Sequence, residues 1–338
     1  MSLPLIQETV QEFKVPNIKY EENIDISTYQ GYKKKLEKQG YRFIGEHSAV
    51  KICEWTAKSL KNQGHCYKQK FYGIRSHRCG QLSVAVNFCD KSCTYCWRER
   101  NNFPFTKIDN PKELLAKIPE HQFKLLSGYG GNQDINKDKW NQIKEISHFA
   151  ISLTGENLYY PKINELIREI KTQGKTSFVV THGGFPEAME KLEPPTQLYL
   201  SMDTVDEENF KEIQRPIHKD AWNRWLKSLD ALRNIRNKTR TVIRYTLIKG
   251  LNDVNHKNIA DLFERGDPHF IEIKSYIHVG ASRENLQRKN MSTIEEVRDF
   301  AKEIEKRCSY KIIDEHIPSR VVLMAKEDYP WRIIKFDD

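Results

Sequence analysis

The 338-residue chain contains no apolar run near the roughly 18 residues that a membrane-spanning helix requires. Its amino-terminal residues, MSLPLIQETVQEFKVP, lack the basic start and apolar core of a secretory signal. No internal repeat, low-complexity tract, or linker rich in Gly, Ser or Pro is visible. These absences, with 38% apolar and 30% charged residues, lead us to expect a cytoplasmic globular domain with an appended segment.

Cysteines are few, and their number is odd. Six of the seven lie between Cys53 and Cys96, and only Cys308 stands apart. An odd, clustered set is unfavourable for disulfide pairing and favours metal ligation.

The first of two cysteine triads, in the run CDKSCTYCW, consists of Cys89, Cys93 and Cys96 in a C-x3-C-x2-C spacing. Three thiolates on a four-iron cluster leave one iron without a protein ligand, and that iron can bind a small molecule. The spacing is typical of radical S-adenosylmethionine (SAM) enzymes. The alternatives are a tetrahedral zinc site completed by a distant Cys or His, and three buried structural cysteines.

The second triad consists of Cys53, Cys66 and Cys79, with twelve residues between successive members. Three thiolates with no obvious fourth again indicate a cluster with an open iron. Two alternatives stay open at this point: Cys79 could complete a zinc site with the first triad, or all three could be ordinary buried cysteines.

From residue 81 onward, strand-like runs alternate with helix-like stretches, which predicts parallel strands joined by right-handed crossovers. We expect an N-terminal extension over 1–80, packed on a partial barrel with C-terminal strands over 81–338. Helices are predicted near 29–39, after Pro161 and after Asp220. The candidate strands are 82–88, 147–153, 177–181, 197–202, 241–248 and 270–277, with one or two more in 310–324.

Polar residues follow these strands repeatedly. In a parallel barrel the carboxyl ends of the strands carry the reactive groups, so we expect these side chains to meet at one site. The alternative is that loop ends are generally polar. The residues, in chain order after the first triad, are Thr154, Gly155, Glu156, Thr181, His182, Gly183, Ser201, Asp203, Arg244, Lys249, Lys274 and Tyr276.

A formal net charge of +9 and a pI near 9.0 indicate a polyanionic partner. Basic residues cluster at 33–35 and again at 233–244, and aromatics lie among the basic residues of 66–79. Stacking surfaces beside cations are how proteins hold unpaired bases, so nucleic acid is a candidate partner. A merely solvated basic surface is the alternative.

Five segments together resemble the archaeal-type 4-demethylwyosine synthases, radical SAM enzymes that build the tricyclic base of wyosine and wybutosine in tRNA. They are HSAVKICEW, CYKQKFYGIRSHRC, CDKSCTYCWR, SLTGE and FIEIKSYIHVG, and the similarity runs from about residue 46 to about 324. The resemblance implies the α/β fold of a radical SAM partial (βα)6 TIM-like barrel, with SAM and two 4Fe–4S clusters as cofactors. The implied cluster ligands are Cys89, Cys93 and Cys96 for the first cluster, and Cys53, Cys66 and Cys79 for the second.

The implied reaction is that of a lyase, which condenses 1-methylguanosine-37 of tRNA-Phe with pyruvate to form 4-demethylwyosine. The resemblance implies that a 5′-deoxyadenosyl radical takes a hydrogen from the N-methyl group of the base. Pyruvate would bind the open iron of the second cluster. Lys68 matches the family's proposed Schiff-base lysine, with Lys70 in reserve. Thr154, Gly155 and Glu156 would hold the amino end of SAM, and Ser201 and Asp203 its ribose.

Three positions depart from the usual radical SAM pattern. Thr154 begins a Thr-Gly-Glu motif where Gly-Gly-Glu is common, Asn157 stands where proline is expected, and His182 replaces a usual asparagine. No flavodoxin-like stretch precedes residue 46, so we expect a separate electron-donor protein. Two other hypotheses are a radical SAM activase or maturase acting on a protein, with an auxiliary iron–sulfur cluster, and a zinc-dependent RNA-binding protein.

Overall fold

The structure, a computed structural model, describes residues 26–99, 102–105 and 107–336. The first 25 residues of the predicted N-terminal extension therefore lie outside the described residues. In the described part of the chain, no helix combines the length and the apolar character needed to cross a membrane. The helices are α1 (Ile26–Lys38), α2 (Glu54–Leu60), α3 (Tyr67–Tyr72), α4 (Pro111–Leu126), α5 (Lys137–Asn141), α6 (Ile163–Thr172), α7 (Pro186–Glu190), α8 (Glu207–Gln214), α9 (Ala221–Ile235), α10 (His256–Gly266) and α11 (Ile294–Glu305).

Ten strands form one mixed sheet in the order β1-β2-β3-β4-β5-β6-β7-β8-β10-β9. Strands β3 to β8 run parallel to one another. The pairs β1–β2, β2–β3, β8–β10 and β10–β9 are antiparallel. The strands are β1 (Tyr41–Phe43), β2 (Ala49–Lys51), β3 (Cys79–Ser83), β4 (His148–Ile151), β5 (Thr176–Thr181), β6 (Gln197–Met202), β7 (Arg240–Leu247), β8 (Phe270–Ser275), β9 (Lys311–His316) and β10 (Val321–Ala325).

The six parallel strands alternate with helices, as the sequence pattern predicts, and the α/β class is confirmed. The tail adds β9 and β10, which confirms the extra C-terminal strands. At the other end, β1 and β2 extend the sheet beside β3. The predicted boundary between residues 80 and 81 falls inside β3, and the division into two domains stays a prediction. The curvature of a partial barrel also stays a prediction.

The first parallel strand is shorter and earlier than predicted. It spans Cys79–Ser83, whereas the prediction placed a strand over 82–88. Residues 84–88, apolar except for Asn87, are buried but lie outside the strand, and Phe88 stacks on Tyr159 at 3.8 Å between ring centroids. Burial and strand pairing leave the same apolar run in the sequence, so the pattern alone cannot separate them.

The predicted helix after Pro161 is confirmed as α6, and its apolar stripe of Ile163, Leu166, Ile167 and Ile170 is fully buried. The helix predicted after Asp220 is confirmed as α9. Their packing on the sheet follows from the 3.6-residue period of the apolar positions, which directs one face inward.

The two faces of the parallel strands bury different material. One face packs against α6, α9, α10 and α11 in the largest apolar cluster. Alternate residues point to the other face, where Phe178, Tyr199, Val242 and Phe270 pack against short helix α3. We call this second side the inner face, and it carries the charged groups described below.

Asn252 connects the carboxyl ends of β6 and β7. Its fully buried side chain accepts from the Ile248 N–H at 2.7 Å and donates to the carbonyls of Asp203 at 2.8 Å and Thr246 at 2.9 Å. One amide therefore satisfies three backbone groups where the strand ends approach the site.

Replacing Asn252 by alanine should lower the free energy of unfolding by about 2–4 kcal/mol, because three buried backbone groups lose their partner. Chemical denaturation followed by circular dichroism measures this change. Asn234→Ala, at an exposed position within α9, is the matched control and should change stability by less than about 0.5 kcal/mol. Equal stability of the two variants would contradict the assigned role of Asn252.

Candidate active site

The first triad lies in the loop that follows β3. This loop is held by backbone bonds from Ser92 N–H to the Gln214 carbonyl at 3.0 Å and from Thr94 N–H to the Ile213 carbonyl at 2.8 Å. Both acceptors lie at the end of α8. The loop after β3 is thus bonded to α8, the helix after β6, and this contact positions the three thiols.

The three thiols of the first triad interact electrostatically. Burial raises the pKa of Cys93 well above its usual range, and Asp203, Cys96 and Cys89 raise it further. Burial also raises the pKa of Cys96 to about 11, with a further contribution from Cys89 that Arg98 opposes. Three partly buried thiols that interact pairwise form a donor set that fits a three-ligand iron–sulfur cluster.

The Thr-Gly-Glu loop after β4 packs directly on the cysteine loop. The Glu156 N–H donates to the Phe88 carbonyl at 2.8 Å. Gly155 has a φ of +73°, and a Cβ at this position would lie 1.6 Å from the Ala85 carbonyl oxygen. Only glycine permits this approach, because any side chain would overlap the backbone.

The Glu156 carboxylate is buried and held by two backbone donors. Leu158 N–H donates to Oε1 at 3.0 Å, and His182 N–H donates to Oε2 at 2.9 Å. The His182 ring lies between two carboxylates, with Nε2 at 2.6 Å from Asp90 and at 3.2 Å from Glu156. The departure at His182 therefore places an imidazole that supports Glu156 beside the first triad.

Ligand atoms of Cys89, Asp90 and His182 lie within 4.8 Å of one another. The contacts of His182 nevertheless give its ring a supporting role. The Gly184 N–H lies 3.0 Å from Nδ1, and, against the effect of burial, the carboxylates of Glu156 and Asp90 beside Nε2 raise the pKa of His182 to about 10.

Asn157, which stands where proline is expected, also has a structural explanation. Its side-chain amide makes hydrogen bonds to three backbone groups, and a proline side chain could make none of them. Oδ1 accepts from the Val84 N–H at 3.3 Å, and Nδ2 donates to the carbonyls of Ile151 and Val180, each at 3.4 Å. The side chain joins the segment after β3 to β4 and β5.

Ser201 and Asp203 lie at the carboxyl end of β6, as predicted. Asp203 is fully buried, accepts a hydrogen bond from the Gln214 amide and interacts with the Tyr95 hydroxyl. Burial raises the pKa of this carboxyl group, and its hydrogen bonds with Tyr95 and Gln214 oppose the effect. A carboxylate beside Cys93 is a suitable acceptor for a ribose hydroxyl.

The second triad gathers from three elements. Cys53 and Cys66 are the residues immediately before α2 and α3, and Cys79 is the first residue of β3. Burial raises the pKa of Cys66 and of Cys79 to about 12 each, and in both cases Cys53 raises it further. Three partly buried thiols that interact pairwise again form a donor set that suits a metal cluster.

Lys68 and Lys70, the two predicted lysines, occupy different environments on α3. Lys68 is 8% exposed, and its Nζ lies 4.4 Å from the centroid of the Tyr199 ring on the inner face. Burial lowers the pKa of Lys68, although Glu272 and Cys66 oppose this effect. Lys70 is 43% exposed and pairs at the surface with Asp314 at 2.8 Å, which favours Lys68 as the reactive amine.

The prediction from sequence missed Glu272, and it placed Arg244 and Lys274 at strand ends without a role. Glu272 is fully buried on β8, where the Tyr72 hydroxyl donates to Oε1 at 2.7 Å. Arg244 of β7 and Lys274 of β8 share the inner face with it, and both interact electrostatically with Glu272. The alternation Phe270-Glu272-Lys274 is a signal that could have found this group.

The structure divides two of the three basic stretches of the sequence between the interior and the surface, and the role of the 33–35 cluster stays a prediction. Tyr67, Phe71 and Tyr72 of the 66–79 stretch are buried in the inner cluster, so they cannot stack on bases. The 233–244 cluster is split: Arg244 is inside the sheet, whereas Arg240 binds the carbonyls of the C-terminal tail at the amino end of β7. Spacing along the sequence gave no information about which face each residue occupies.

Two family profiles match this chain. The Radical SAM superfamily profile matches residues 83–263, more than half of the chain, and a profile for wyosine base formation matches residues 265–326. Together they cover the parallel strands β4 to β8 and the two strands of the tail. The radical SAM α/β fold is thereby confirmed, and the protein is an enzyme of that superfamily, with SAM and a 4Fe–4S cluster as cofactors.

Curated relatives narrow the family. The SAM-dependent tRNA 4-demethylwyosine synthase of Pyrococcus horikoshii is 40% identical over 302 residues, covering 87% of this chain and 88% of that protein. The same enzyme of Methanocaldococcus jannaschii is 39% identical over 304 residues, covering 87% and 96%. The chain belongs to this family. Membership confirms the resemblance and favours it over the activase and zinc-protein hypotheses.

Solved structures of the family agree with this assignment. A structure of TYW1 with a lysine–pyruvate adduct bound has a TM-score of 0.80 and 37% identity, covering 90% of this chain and 97% of that chain. A crystal structure of archaeal TYW1 has a TM-score of 0.73 and 35% identity, covering 91% and 98%.

Replacing Gly155 by alanine should abolish SAM binding, because its Cβ would force the Thr-Gly-Glu loop away from the cysteine loop. Equilibrium dialysis with labelled SAM and anaerobically reconstituted protein measures the loss. Gly174→Ala is the matched control, since Gly174 has a similar φ of +66° with nothing within 4 Å of the added carbon. Backbone strain alone should cost about 1–2 kcal/mol of stability there. Equal SAM affinity of the two variants would contradict the close-approach argument.

Proposed function

We propose that this protein is a radical SAM lyase that condenses 1-methylguanosine-37 of tRNA-Phe with pyruvate to form 4-demethylwyosine. The observation that carries the proposal is the buried amine of Lys68 beside the second triad, in a chain 37% identical to a protein that holds a lysine–pyruvate adduct. A buried lysine with a lowered pKa is the form of amine that attacks a keto carbon.

The first triad and its neighbouring loops suit SAM. The residues that would hold the first cluster are Cys89, Cys93 and Cys96. Once bound, such a cluster supplies the electron that cleaves SAM to a 5′-deoxyadenosyl radical. Glu156 presents a carboxylate for the SAM ammonium group, with Thr154 and Gly155 providing backbone carbonyls. Ser201 and the buried carboxylate of Asp203, at the carboxyl end of β6, suit the ribose hydroxyls.

The second triad would hold another 4Fe–4S cluster through Cys53, Cys66 and Cys79. All three cysteines lie within the proposed 1–80 extension, and Cys79 is also the first residue of β3. Its proposed open iron is the site for the carboxylate and keto oxygens of pyruvate. Lys68 would attack the keto carbon of pyruvate, releasing water and forming a Schiff base that retains the substrate. Lys70 is the less favoured candidate because its ammonium pairs at the surface.

Charge on the inner face supports an anionic substrate at this place. Beside the Lys68 amine, the cations Arg244 and Lys274 outnumber the carboxylate of Glu272, and each of the three basic groups interacts electrostatically with Glu272. An excess of buried positive charge attracts pyruvate and disfavours neutral ligands.

The two proposed macromolecular partners are the tRNA and an electron-donor protein. A net charge of +9 suits the tRNA phosphates, and we propose a separate protein as electron donor in a cytoplasmic pathway.

Replacing Cys66 by alanine should remove about four of about eight irons and abolish product, while SAM cleavage persists. Cys93→Ala should also lose about four irons, but it should abolish SAM cleavage. Iron and sulfide analysis after anaerobic reconstitution, with chromatography of 5′-deoxyadenosine and of digested tRNA, measures each quantity. Product formation by Cys66→Ala would contradict the pyruvate-site assignment, and zinc in place of iron would contradict the mechanism.

Replacing Lys68 by methionine should abolish the pyruvate adduct, because methionine fills the apolar volume without an amine. Borohydride reduction with labelled pyruvate, followed by mass spectrometry, measures the trapped adduct. Lys70→Met, two residues later on the same helix, is the matched control and should retain the adduct. An adduct lost only in Lys70→Met would reverse the assignment.

A further inference from the structure

Trp97, the residue after the last cysteine of the first triad, ends a short stack of planar side chains. The guanidinium of Arg98 lies 4.6 Å from the ring centroid of Tyr41, and it also lies over the indole of Trp97. Exposure rises from 3% at Tyr41 and 7% at Arg98 to 41% at Trp97. The stack therefore begins in the core and ends on an aromatic group that is open to solvent.

The backbone around this indole is fixed on two sides. The Trp97 carbonyl accepts from the Ala281 N–H at 3.1 Å, and a Cβ on Gly280 would lie 2.2 Å from that carbonyl oxygen. Arg98 Nε donates to the Leu153 carbonyl at 3.3 Å, immediately before the Thr-Gly-Glu motif. The stack is thus attached to the loop after β8 and to the proposed SAM loop. A ring held in this way loses little conformational entropy when a ligand stacks on it.

The loop after β8, which contacts the Trp97 backbone at Gly280 and Ala281, exposes apolar and cationic side chains. Its residues Ile277 and Val279 are 42% and 37% exposed. Arg215, after α8, donates to the Asn285 side chain at 2.8 Å, which joins a further cation to the 280–290 segment. The exposed cations of the two segments are Arg215, Arg283, Arg288 and Lys289, against Glu284 in the 280–290 segment, while the exposed Glu99 near Trp97 is paired with Lys35.

An open aromatic face with an excess of cations around it matches the chemistry of an unpaired nucleotide. The base supplies a flat face for stacking, and the phosphates supply the negative charge. Pyruvate has no aromatic face. The proposed SAM contacts at Glu156 lie on the buried side, at 2% exposure, whereas the free side of Trp97 faces solvent.

We propose that the exposed face of Trp97 receives an unpaired base of the anticodon loop, as the fourth layer on Tyr41, Arg98 and Trp97. The proposal rests on the proposed function, because it takes tRNA as the substrate. It assigns the base contact to the rim of the site beside the first triad. The aromatic residues of the 66–79 stretch, which the sequence offered for this contact, are buried on the inner face.

The experiment measures RNA affinity of the reconstituted, anaerobic protein by fluorescence anisotropy. The two probes are an anticodon stem-loop and a fully paired duplex with the same number of phosphates. Trp97→Ala should weaken stem-loop binding at least about five-fold and leave duplex binding unchanged, because only the stem-loop offers an unpaired base. Trp97→Phe should recover most of the loss, since it keeps an aromatic face.

Trp331→Ala is the control matched for exposure. Trp331 is 42% exposed but lies near Arg240 at the amino ends of the strands, so this variant should bind the stem-loop like the wild type. A second measurement needs no variant: 2-aminopurine placed in the loop should lose fluorescence when it stacks on the wild-type indole.

The possible outcomes distinguish a failure of the proposed base stack on Trp97 from a failure of the proposed function. Stem-loop binding that Trp97→Ala leaves unchanged, with no 2-aminopurine quenching, overturns the stack alone. Weaker SAM binding with unchanged RNA binding assigns the indole to SAM and also overturns it. A wild-type protein that forms no 4-demethylwyosine and binds the stem-loop no better than the duplex overturns the proposed substrate and the stack with it.

Discussion

The site depends on the contact between two loops that are far apart in sequence. Gly155 lies against the Ala85 carbonyl, and Glu156 N–H bonds to the Phe88 carbonyl, so the Thr-Gly-Glu loop and the cysteine loop form one unit. Since the strands before both loops are parallel neighbours, their carboxyl ends meet at the same edge of the sheet. This contact places Glu156 beside the first triad.

The inner face adds a second requirement, which is the burial of charge. The thiols of both triads and the side chains of Lys68, Arg244, Lys274 and Glu272 lie at partly or fully buried positions. Burial destabilises charged side chains, which is why it raises the pKa of four of the six thiols and lowers the pKa of Lys68 and Lys274. Metal clusters and an anionic substrate would neutralise this charge, so the fold and the proposed ligands depend on each other.

Much of the fold follows from local pattern. The apolar stripe of α6 and the short apolar runs of β5 to β8 predict their elements, because a helix buries one face with a period of 3.6 residues and a strand buried on both faces leaves a nearly continuous run. The pattern failed at 84–88, where burial without pairing resembles a strand. It also failed at Tyr67 and Phe71, since the stretch 66–79 turns inward and packs on the sheet.

The sequence by itself determined the two cysteine triads, the Thr-Gly-Glu motif and the six strand–helix units, because spacing and period are local properties of the chain. Only the tertiary structure decided which lysine is buried, that Glu272 faces it, and that Trp97 remains open above Arg98 and Tyr41. These facts depend on which faces of distant elements meet. Such contacts are set by packing over the whole chain, and no single segment encodes them.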